Sequence, residues 1–309
     1  MRTGRPAELV MGSAQLGLVY GAANRAGKPT REAALKLVRR AADAGVGAFD
    51  TARAYGDAEE RLGEALHGRK VTTITKLAPL SELPADASVA EVHAAVDASI
   101  EHSRGALGRD RLDCLLLHRA SHMTAYRGAV WERLKEHVTK GAIRALGVSV
   151  QSPAEAHRSL VDPIVAHIQL PYNLLDWRWR SESVVAVLRS RPDVTVHARS
   201  VLLQGVLAAN DPRIWPAVPG VDPPRVIEWL ERTARAFGRE SVADLAFAFA
   251  RGQDWIDGIV VGQETEDQLE ANLRLAARPP LSRDDCRKIE ESAPHVPERL
   301  LDPAQWKPQ

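Results

Sequence analysis

The chain alternates short apolar runs with longer segments of helical periodicity, and the alternation repeats eight times from Leu9 onward. Strands that alternate with helices are the pattern of βαβ units, whose strands lie parallel in one sheet. The run Val71–Lys76 is β-branched at most positions, as expected of a strand covered on both faces. Eight such units in 309 residues predict an α/β chain folded as a single (β/α)8 TIM barrel, one domain spanning residues 1–309.

The apolar runs place the predicted strands at Leu9–Ala14, Ala48–Thr51, Val71–Lys76, Leu112–Leu117, Ile143–Val148, Ile164–Gln169, Val194–Ala198 and Gly258–Val261. Helical periodicity predicts helices at Arg31–Ala44, Asp57–His67, Val89–Leu107, Tyr126–Lys140, from Pro153, at Ser181–Arg189 and at Glu266–Leu275. Extra helices near the C-terminal end are predicted at Pro224–Phe237, Val242–Gln253 and Arg283–Glu291. The connection Val201–Asp222 is too long for a plain βα turn and is expected to be a lid or a binding loop.

Charge and cysteine content favour a small molecule as the binding partner. The 41 basic and 40 acidic residues leave a net charge of +1, which argues against nucleic acid and membrane partners. Cys114 and Cys286 are too few for a disulfide framework or a cysteine metal site. No segment approaches a membrane span, and Met1–Pro6 lacks the apolar core of a signal peptide, so a cytoplasmic setting is expected.

Polar residues follow the predicted strands where each strand ends. In a parallel barrel these ends meet at one face, where binding and catalytic residues gather. The residues are Asp50, Tyr55, Lys76, His118, Ser149, Gln169, Asn173, Arg199, Ser200 and Gly262. Any single one could be a solvated or structurally paired group, but ionisable groups at the ends of three successive strands indicate a site.

The four groups on strands two to four suit general acid catalysis. A phenol with a pKa of about 10 is a poor acid near neutral pH unless a nearby cation lowers its pKa. Lys76 on the neighbouring strand can supply that cation to Tyr55, and Asp50 can keep the lysine charged. His118 could then orient a substrate carbonyl, so the group would protonate an oxygen as it gains negative charge.

These motifs, in this order and spacing, closely resemble the aldo-keto reductases. The resemblance rests on F-D-T-A-R-A-Y-G-D-A-E-E-R-L-G-E-A-L, I-T-K-L and L-L-L-H-R, and extends through G-V-S-V and Q-L-P-Y-N to V-V-G-Q-E-T-E-D-Q-L-E-A-N-L. It implies an NAD(P)(H)-dependent oxidoreductase, related to bacterial members that act on sugars or small aldehydes. By similarity, Tyr55 donates the proton, Lys76 and Asp50 tune it, and His118 polarises the substrate.

The resemblance also assigns cofactor residues. Ser149 and Gln169 would hold the carboxamide, Arg199 would take the place of the aromatic ring that usually stacks on the nicotinamide, and Ser200, Leu202 and Gly205 would line the pyrophosphate. The segment Gly262–Asn272, with Glu264, Gln268 and Asn272, would hold the adenosine end. NADP is the default cofactor, but Glu264 would repel a 2′-phosphate, so NAD or dual use is a second hypothesis. No G-x-G-x-x-G follows a strand, which excludes only the Rossmann mode of binding.

Several aromatic residues and histidines allow a binding and a structural interpretation. Tyr20, Trp177, Trp215 and Trp306 fall in loops or the tail and could form a substrate wall or a sugar-stacking platform, or could anchor those loops, as could Trp179. His167 and His197 are expected to be hydrogen-bonded core residues, and no metal site is predicted.

Two rival functions stay open at this point. The same fold could serve as a cofactor-binding regulatory or sensor subunit with little turnover, although the complete set of four catalytic residue types favours an enzyme. A phosphate-handling barrel with a glycine-rich cup after strands seven and eight is a third interpretation. The substrate, the reaction direction and the oligomeric state are not specified by the sequence.

Overall fold

Eight parallel strands close into a barrel in the computed structural model, which describes residues 6–306. The strands are β1 (Glu8–Gly12), β2 (Ala48–Asp50), β3 (Thr72–Lys76), β4 (Leu112–Leu117), β5 (Ile143–Ser149), β6 (Val165–Pro171), β7 (Thr195–Arg199) and β8 (Gly258–Gly262). Their spatial order follows the chain order, and β8 pairs with β1. The predicted (β/α)8 architecture is therefore confirmed. Residues 1–5 and 307–309 lie outside the described residues. The predicted domain includes both segments, and the prediction about a signal peptide concerns the first of them.

The helices surround the barrel in the connections between strands. They are α1 (Ala14–Gly17), α2 (Arg31–Asp43), α3 (Ala58–Ala65), α4 (Val89–Leu107), α5 (Ala129–Thr139), α6 (Pro153–Leu160), α7 (Glu182–Ser190), α8 (Pro223–Ala236), α9 (Val242–Arg251), α10 (Glu266–Ala277) and α11 (Arg283–Ser292). Among the described residues, none of these helices combines the length and apolar composition that a bilayer span requires.

Local sequence signals explain several helix ends. Ser88 and Glu91 form a reciprocal capping box at the start of α4, and Gly108 ends that helix in the left-handed conformation. The helix predicted from Tyr126 begins instead at Ala129, because Tyr126 and Arg127 have positive φ angles that an α-helix does not accept. Two 3₁₀ turns fill this part of the chain.

The barrel interior holds both an apolar cluster and a polar one. Val10, Ile74, Cys114 and Leu116 form a small buried cluster inside the barrel. His167 and His197 are buried in edge-to-face contact, with ring centroids 4.4 Å apart. Cys114 Sγ lies 3.5 Å from His167 Nδ1.

The two core histidines are only partly satisfied, which corrects the prediction that both are hydrogen-bonded. His167 Nε2 and His197 Nδ1 have no hydrogen-bond partner among residues 6–306. Burial lowers the pKa of His197 to about 4 and lowers that of His167 well below its usual value. Both rings are therefore neutral at physiological pH, which avoids the cost of an unpaired charge in the core.

A glycine in the short helix α1 fixes the position of the loop that follows β2. A Cβ atom on Gly17 would lie 1.7 Å from the carbonyl oxygen of Tyr55. Only hydrogen can occupy that space, so the backbone of α1 packs directly on the Tyr55 turn. The turn is further held by a hydrogen bond from Tyr55 N to the carbonyl oxygen of Ala52, at 3.0 Å.

We therefore expect Gly17→Ala to displace the Tyr55 turn and to destabilise the protein by about 1–3 kcal/mol, as overpacking does. Gly47→Ala is the matched control, because nothing lies within 4 Å of a Cβ built on Gly47. Urea denaturation of both variants gives the unfolding free energies. Equal stabilities for the two variants would contradict the close contact.

Candidate active site

A cavity of about 1000 Å³ opens at the carboxyl ends of the strands. Such a volume lies at the upper end of the range for small-molecule sites and suits an extended ligand. It is lined by all the predicted catalytic and cofactor residues, namely Asp50, Tyr55, Lys76, His118, Ser149, Gln169, Arg199, Ser200, Leu202, Gly205, Gly262, Glu264, Gln268 and Asn272, and by Tyr20. The fold thus gathers residues from a 253-residue span, positions 20 to 272, around one space.

A buried ion pair forms the floor of the cavity. Lys76 Nζ donates to Asp50 Oδ1 at 2.6 Å and to the carbonyl oxygen of Thr51 at 2.9 Å. Gln169 Nε2 donates to the other oxygen, Asp50 Oδ2, at 2.6 Å. Burial by itself lowers the pKa of Lys76, but the charges of Asp50 and Tyr55 raise it above its ordinary value. Lys76 is therefore a fixed cation at neutral pH.

Tyr55 lies between this cation and His118. Lys76 Nζ is 5.0 Å from the centroid of the Tyr55 ring, within the range of a cation–π contact. The rings of Tyr55 and His118 meet edge to face, with centroids 5.8 Å apart. The ammonium group of Lys76 and the imidazole of His118 are therefore both placed beside the aromatic ring of Tyr55.

His118 is a neutral imidazole. Burial is the largest cause, followed by the positive charges of Lys76 and Arg199, and together they lower the pKa of His118 to about 3. Its Nδ1 is buried without a hydrogen-bond partner among residues 6–306. A neutral ring in this position can donate one N–H to a ligand oxygen while the other nitrogen accepts.

The segment after β7 has a strained backbone that curves around the cavity. Ser200, Leu203 and Gln204 have φ angles of 60°, 46° and 55°, and Gly205 has a φ of 86°. Non-glycine residues rarely adopt positive φ, and such strain concentrates at binding sites. A Cβ on Gly205 would also lie 2.6 Å from Ala23 Cβ, which draws the loop after α1 against this segment.

The far end of the cavity is built on the start of α10. Gln268 Oε1 accepts hydrogen bonds from Glu264 N at 2.8 Å and Thr265 N at 3.2 Å, so this side chain caps the helix. Asn272 Nδ2 donates to Gln263 Oε1 at 3.2 Å. The oxygen of Gln268 is therefore committed to the protein, and Glu264 is the charged group that lines this end.

Arg199 reaches across the mouth from β7 toward β5. Its Nη2 donates to Gln151 Oε1 at 2.6 Å and to the carbonyl oxygen of Val150 at 3.2 Å, and Nη1 lies 3.5 Å from Ser200 Oγ. These partners are neutral. The guanidinium plane is thus held in place by its edge, and its flat face remains available for a ring.

Three of the four predicted substrate-wall aromatics lie outside the cavity lining. Trp177 Nε1 donates to the carbonyl oxygen of Val296 at 2.9 Å, and Trp306 Nε1 lies 3.2 Å from the carbonyl oxygen of Leu300. Trp215 is 4% exposed and belongs to the main core, as does Trp179. These tryptophans therefore anchor loops, and among the four only Tyr20 faces the cavity.

The sequence prediction missed other lining residues. Ser13, Gln15, Arg119, Gln151 and the segment Asp302–Ala304 also line the cavity. Arg119 and Gln151 could have been found, because each follows a strand end by one or two residues. The C-terminal segment carries no comparable signal, since only tertiary packing brings it to the mouth.

The residues present fit a polar, extended cofactor. Ser13 follows β1 and is among the residues that line the cavity, and its buried Oγ has no partner among the described residues. Such unsatisfied groups are found where a ligand binds. By contrast, within residues 6–306 no group of three or more His, Cys, Asp or Glu side chains is placed to hold a metal ion.

This chain has the closed eight-stranded barrel of a family whose model it matches over most of its length. It belongs to the Aldo/keto reductase family, whose model matches residues 8–294. Enzymes of this family reduce carbonyl groups with nicotinamide cofactors. The resemblance drawn from the sequence motifs is confirmed by this match.

Two similar proteins support the assignment. The holo form of aldo-keto reductase AKR11C1 from Bacillus halodurans has the same fold, with a TM-score of 0.75 at 20% identity over 96% of both chains. The 6-dehydroglucose reductase of Novosphingobium aromaticivorans is 36% identical over 129 residues. That match covers 38% of this chain and 41% of the relative, so it spans less than half of the relative's length.

The buried neutral histidines predict that acid destabilises the fold. The pKa of His118 is about 3 in the folded protein, below the value of about 6.5 for an unfolded chain, so unfolding takes up a proton as the pH falls. The stabilisation that comes from keeping the ring neutral is complete at a pH above the pKa of the unfolded state. It is lost as the pH falls toward the pKa of the folded state. Each such histidine contributes up to about 1.4 kcal/mol per pH unit in that window.

The unfolding free energy should fall between about pH 6 and about pH 4. In His118→Asn this fall should be smaller by roughly 1–2 kcal/mol. Urea denaturation at the two pH values measures this fall. His67→Asn, at an exposed position, is the control and should leave the fall unchanged. The same pH dependence in His118→Asn and in the unaltered protein would contradict a neutral buried ring.

Proposed function

We propose that this enzyme interconverts a small aldehyde or ketone, sugar aldehydes included, and the corresponding alcohol, with Tyr55 as the general acid and base. The observation that supports the proposal best is the buried Lys76–Asp50 pair beside the Tyr55 ring. A buried ion pair is costly to maintain, and here it holds a cation next to a phenol. The name of the Novosphingobium relative supports a sugar aldehyde as substrate.

Each residue has a separate part in the proposed reaction. Tyr55 donates its phenolic proton to the carbonyl oxygen as that oxygen gains negative charge, and Lys76 stabilises the phenolate that remains. Asp50 keeps Lys76 charged and in position. His118, as a neutral imidazole, donates a hydrogen bond to the same carbonyl oxygen.

The proposed cofactor residues together form a surface that fits an extended dinucleotide. The nicotinamide cofactor supplies or accepts the hydride when it is bound. Ser149 and the free oxygen of Gln169 hold the carboxamide, since Gln169 Nε2 already donates to Asp50. The flat face of Arg199 carries the nicotinamide ring. The strained segment that contains Ser200, Leu202 and Gly205 would line the pyrophosphate. The loop after α1, which packs on this segment, would line it as well.

Tyr55→Phe should lower kcat by at least about 100-fold, because it removes the general acid while keeping the ring. The affinity for the reduced cofactor should stay within about twofold, since Phe retains the packing on Lys76 and His118. Turnover is followed by the absorbance of the reduced nicotinamide with a panel of aldehydes, sugars and ketones. Binding is followed by the fluorescence of the same group.

Unchanged turnover in Tyr55→Phe would refute the assignment of the acid. If the unaltered protein binds cofactor tightly but turns over none of the panel, the regulatory or sensor interpretation gains instead. The two outcomes are distinguishable because binding and turnover are measured separately.

The choice of cofactor depends on the end of the cavity near α10. The family default is NADP, which requires cations around the 2′-phosphate. Among the described lining residues the cations are Lys76, Arg119 and Arg199, all at the ends of β3, β4 and β7. At the α10 end the lining contains Glu264 and no lysine or arginine within the described residues. We therefore propose that the enzyme uses NADH at least as well as NADPH.

Glu264→Gln should tighten NADPH binding roughly three- to tenfold, because it removes a like charge near the phosphate. NADH binding should weaken slightly or stay constant. Fluorescence titration gives both dissociation constants. Glu101→Gln, on the distant helix α4, controls for the loss of one negative charge. A strong NADPH preference in the unaltered protein would overturn the proposal.

A further inference from the structure

Two arginines at the cavity mouth have no acidic partner. Arg119 follows His118 at the end of β4, and Arg199 ends β7; both line the cavity. Among residues 6–306 no carboxylate lies within the 4.0 Å of an ion pair from either guanidinium, whereas most other arginines of the chain are paired. Two guanidinium groups without an ion-pair partner form a local positive region in which an anion can bind.

Both guanidinium groups are close to the reacting centre. Each contributes to the lowered pKa of His118, after burial and Lys76. His118 contacts the Tyr55 ring. A molecule whose carbonyl oxygen lies at Tyr55 and His118 therefore has both cations beside it.

The barrel topology separates this region from the adenosine end. In a closed barrel of eight strands taken in order, β4 lies opposite β8. Arg119 follows β4, whereas Glu264 and Asn272 follow β8. Arg199 starts at β7, but its hydrogen bonds to Val150 and Gln151 carry its guanidinium toward the end of β5. Arg119 thus lies on the side of the mouth away from the adenosine end, and the guanidinium of Arg199 lies between Ser200 and Gln151.

Some N–H donors of Arg199 and Gln151 have no hydrogen-bond partner among the described residues. A guanidinium has five N–H donors, and Arg199 uses three in its contacts with Val150, Gln151 and Ser200. The Gln151 amide accepts from Arg199 through Oε1, while its Nε2 is buried without a partner among the described residues. A buried donor left unsatisfied costs about 1–3 kcal/mol, so a ligand oxygen here would be stabilising.

The carboxylates of the cavity are engaged elsewhere. Glu155 Oε2 accepts a hydrogen bond from Gln151 N at 2.6 Å, next to the start of α6. Asp302 Oδ2 accepts from Gln305 Nε2 at 2.7 Å, and Oδ1 from Ala304 N at 3.2 Å. Within the described residues, neither carboxylate lies within the 4.0 Å ion-pair distance of Arg119 or Arg199.

We propose that the substrate is a carbonyl compound that carries an anionic oxygen group, a carboxylate or a phosphate, which Arg119, Arg199 and Gln151 bind beside the reacting carbonyl. This inference rests on the proposed carbonyl reduction and names its substrate class. The edge of the Arg199 guanidinium serves the anion, and its face serves the nicotinamide ring, so the two roles are compatible.

Matched pairs of substrates test the inference. Butanal is compared with 4-oxobutanoate, and glyceraldehyde with glyceraldehyde 3-phosphate, so that one arm reports on a carboxylate and the other on a phosphate. The anionic member of at least one pair should have a kcat/KM at least about tenfold higher, mainly through KM. Arg119→Gln should reduce that ratio toward unity, while Arg119→Lys should retain part of it.

Arg199→Gln should reduce the ratio as well, and Arg39→Gln, at an exposed position on α2, should not. A binding measurement without turnover accompanies the kinetics: calorimetric titration with succinate and with neutral succinamide. Succinate should bind the unaltered protein, and Arg119→Gln should weaken that binding at least about tenfold, with the Kd of the reduced cofactor unchanged.

The inference fails if neutral and anionic members are reduced equally well, or if the ratio survives both glutamine variants. It also fails if succinate binds no better than succinamide. In contrast, the proposed function fails if no member of either pair is reduced by the unaltered protein with either cofactor. Weakened cofactor binding with an unchanged substrate ratio in Arg199→Gln would assign that residue to the cofactor alone.

Discussion

The site depends on the buried ion pair between Lys76 and Asp50. Both side chains are almost fully excluded from water, and the pair is completed by the carbonyl oxygen of Thr51 and the amide of Gln169. Removing one partner from a buried pair costs about 3–5 kcal/mol, because the other charge stays buried. The pair therefore persists whether or not a ligand is bound, and Tyr55 always faces a cation.

The rest of the mouth follows from this fixed charge. Lys76 helps to keep His118 neutral, so the site contains one positive charge close to the phenol and a neutral donor beyond it. The Gly17 contact holds the Tyr55 turn against the barrel, and no side chain separates them. The geometry around Tyr55 is thus preorganised by backbone packing and by one desolvated pair, as the proposed proton transfer requires.

Three regions of the mouth have different electrostatic character. Near β2–β3 Lys76 and Asp50 are paired, and near α10 the lining carries Glu264. Near β4–β5 Arg119 and Arg199 line the cavity, and Arg199 donates to neutral partners. The closed order of the strands places the β4 region opposite the region after β8. The proposed proton-transfer site and anion-binding region are therefore adjacent, and the proposed nucleotide end lies across the mouth.

The sequence by itself determined the barrel, the strand ends and the polar residues on them. The reason is local: alternating apolar runs specify parallel strands, and the residue after each run must lie at the mouth. Tertiary structure decided what no local pattern encodes. The tryptophans predicted as a substrate wall anchor loops instead, since packing decides which face of a loop is buried. The partners of Gln169 and Arg199, and the arrival of Asp302–Ala304 at the cavity, likewise depend on contacts between segments distant in sequence.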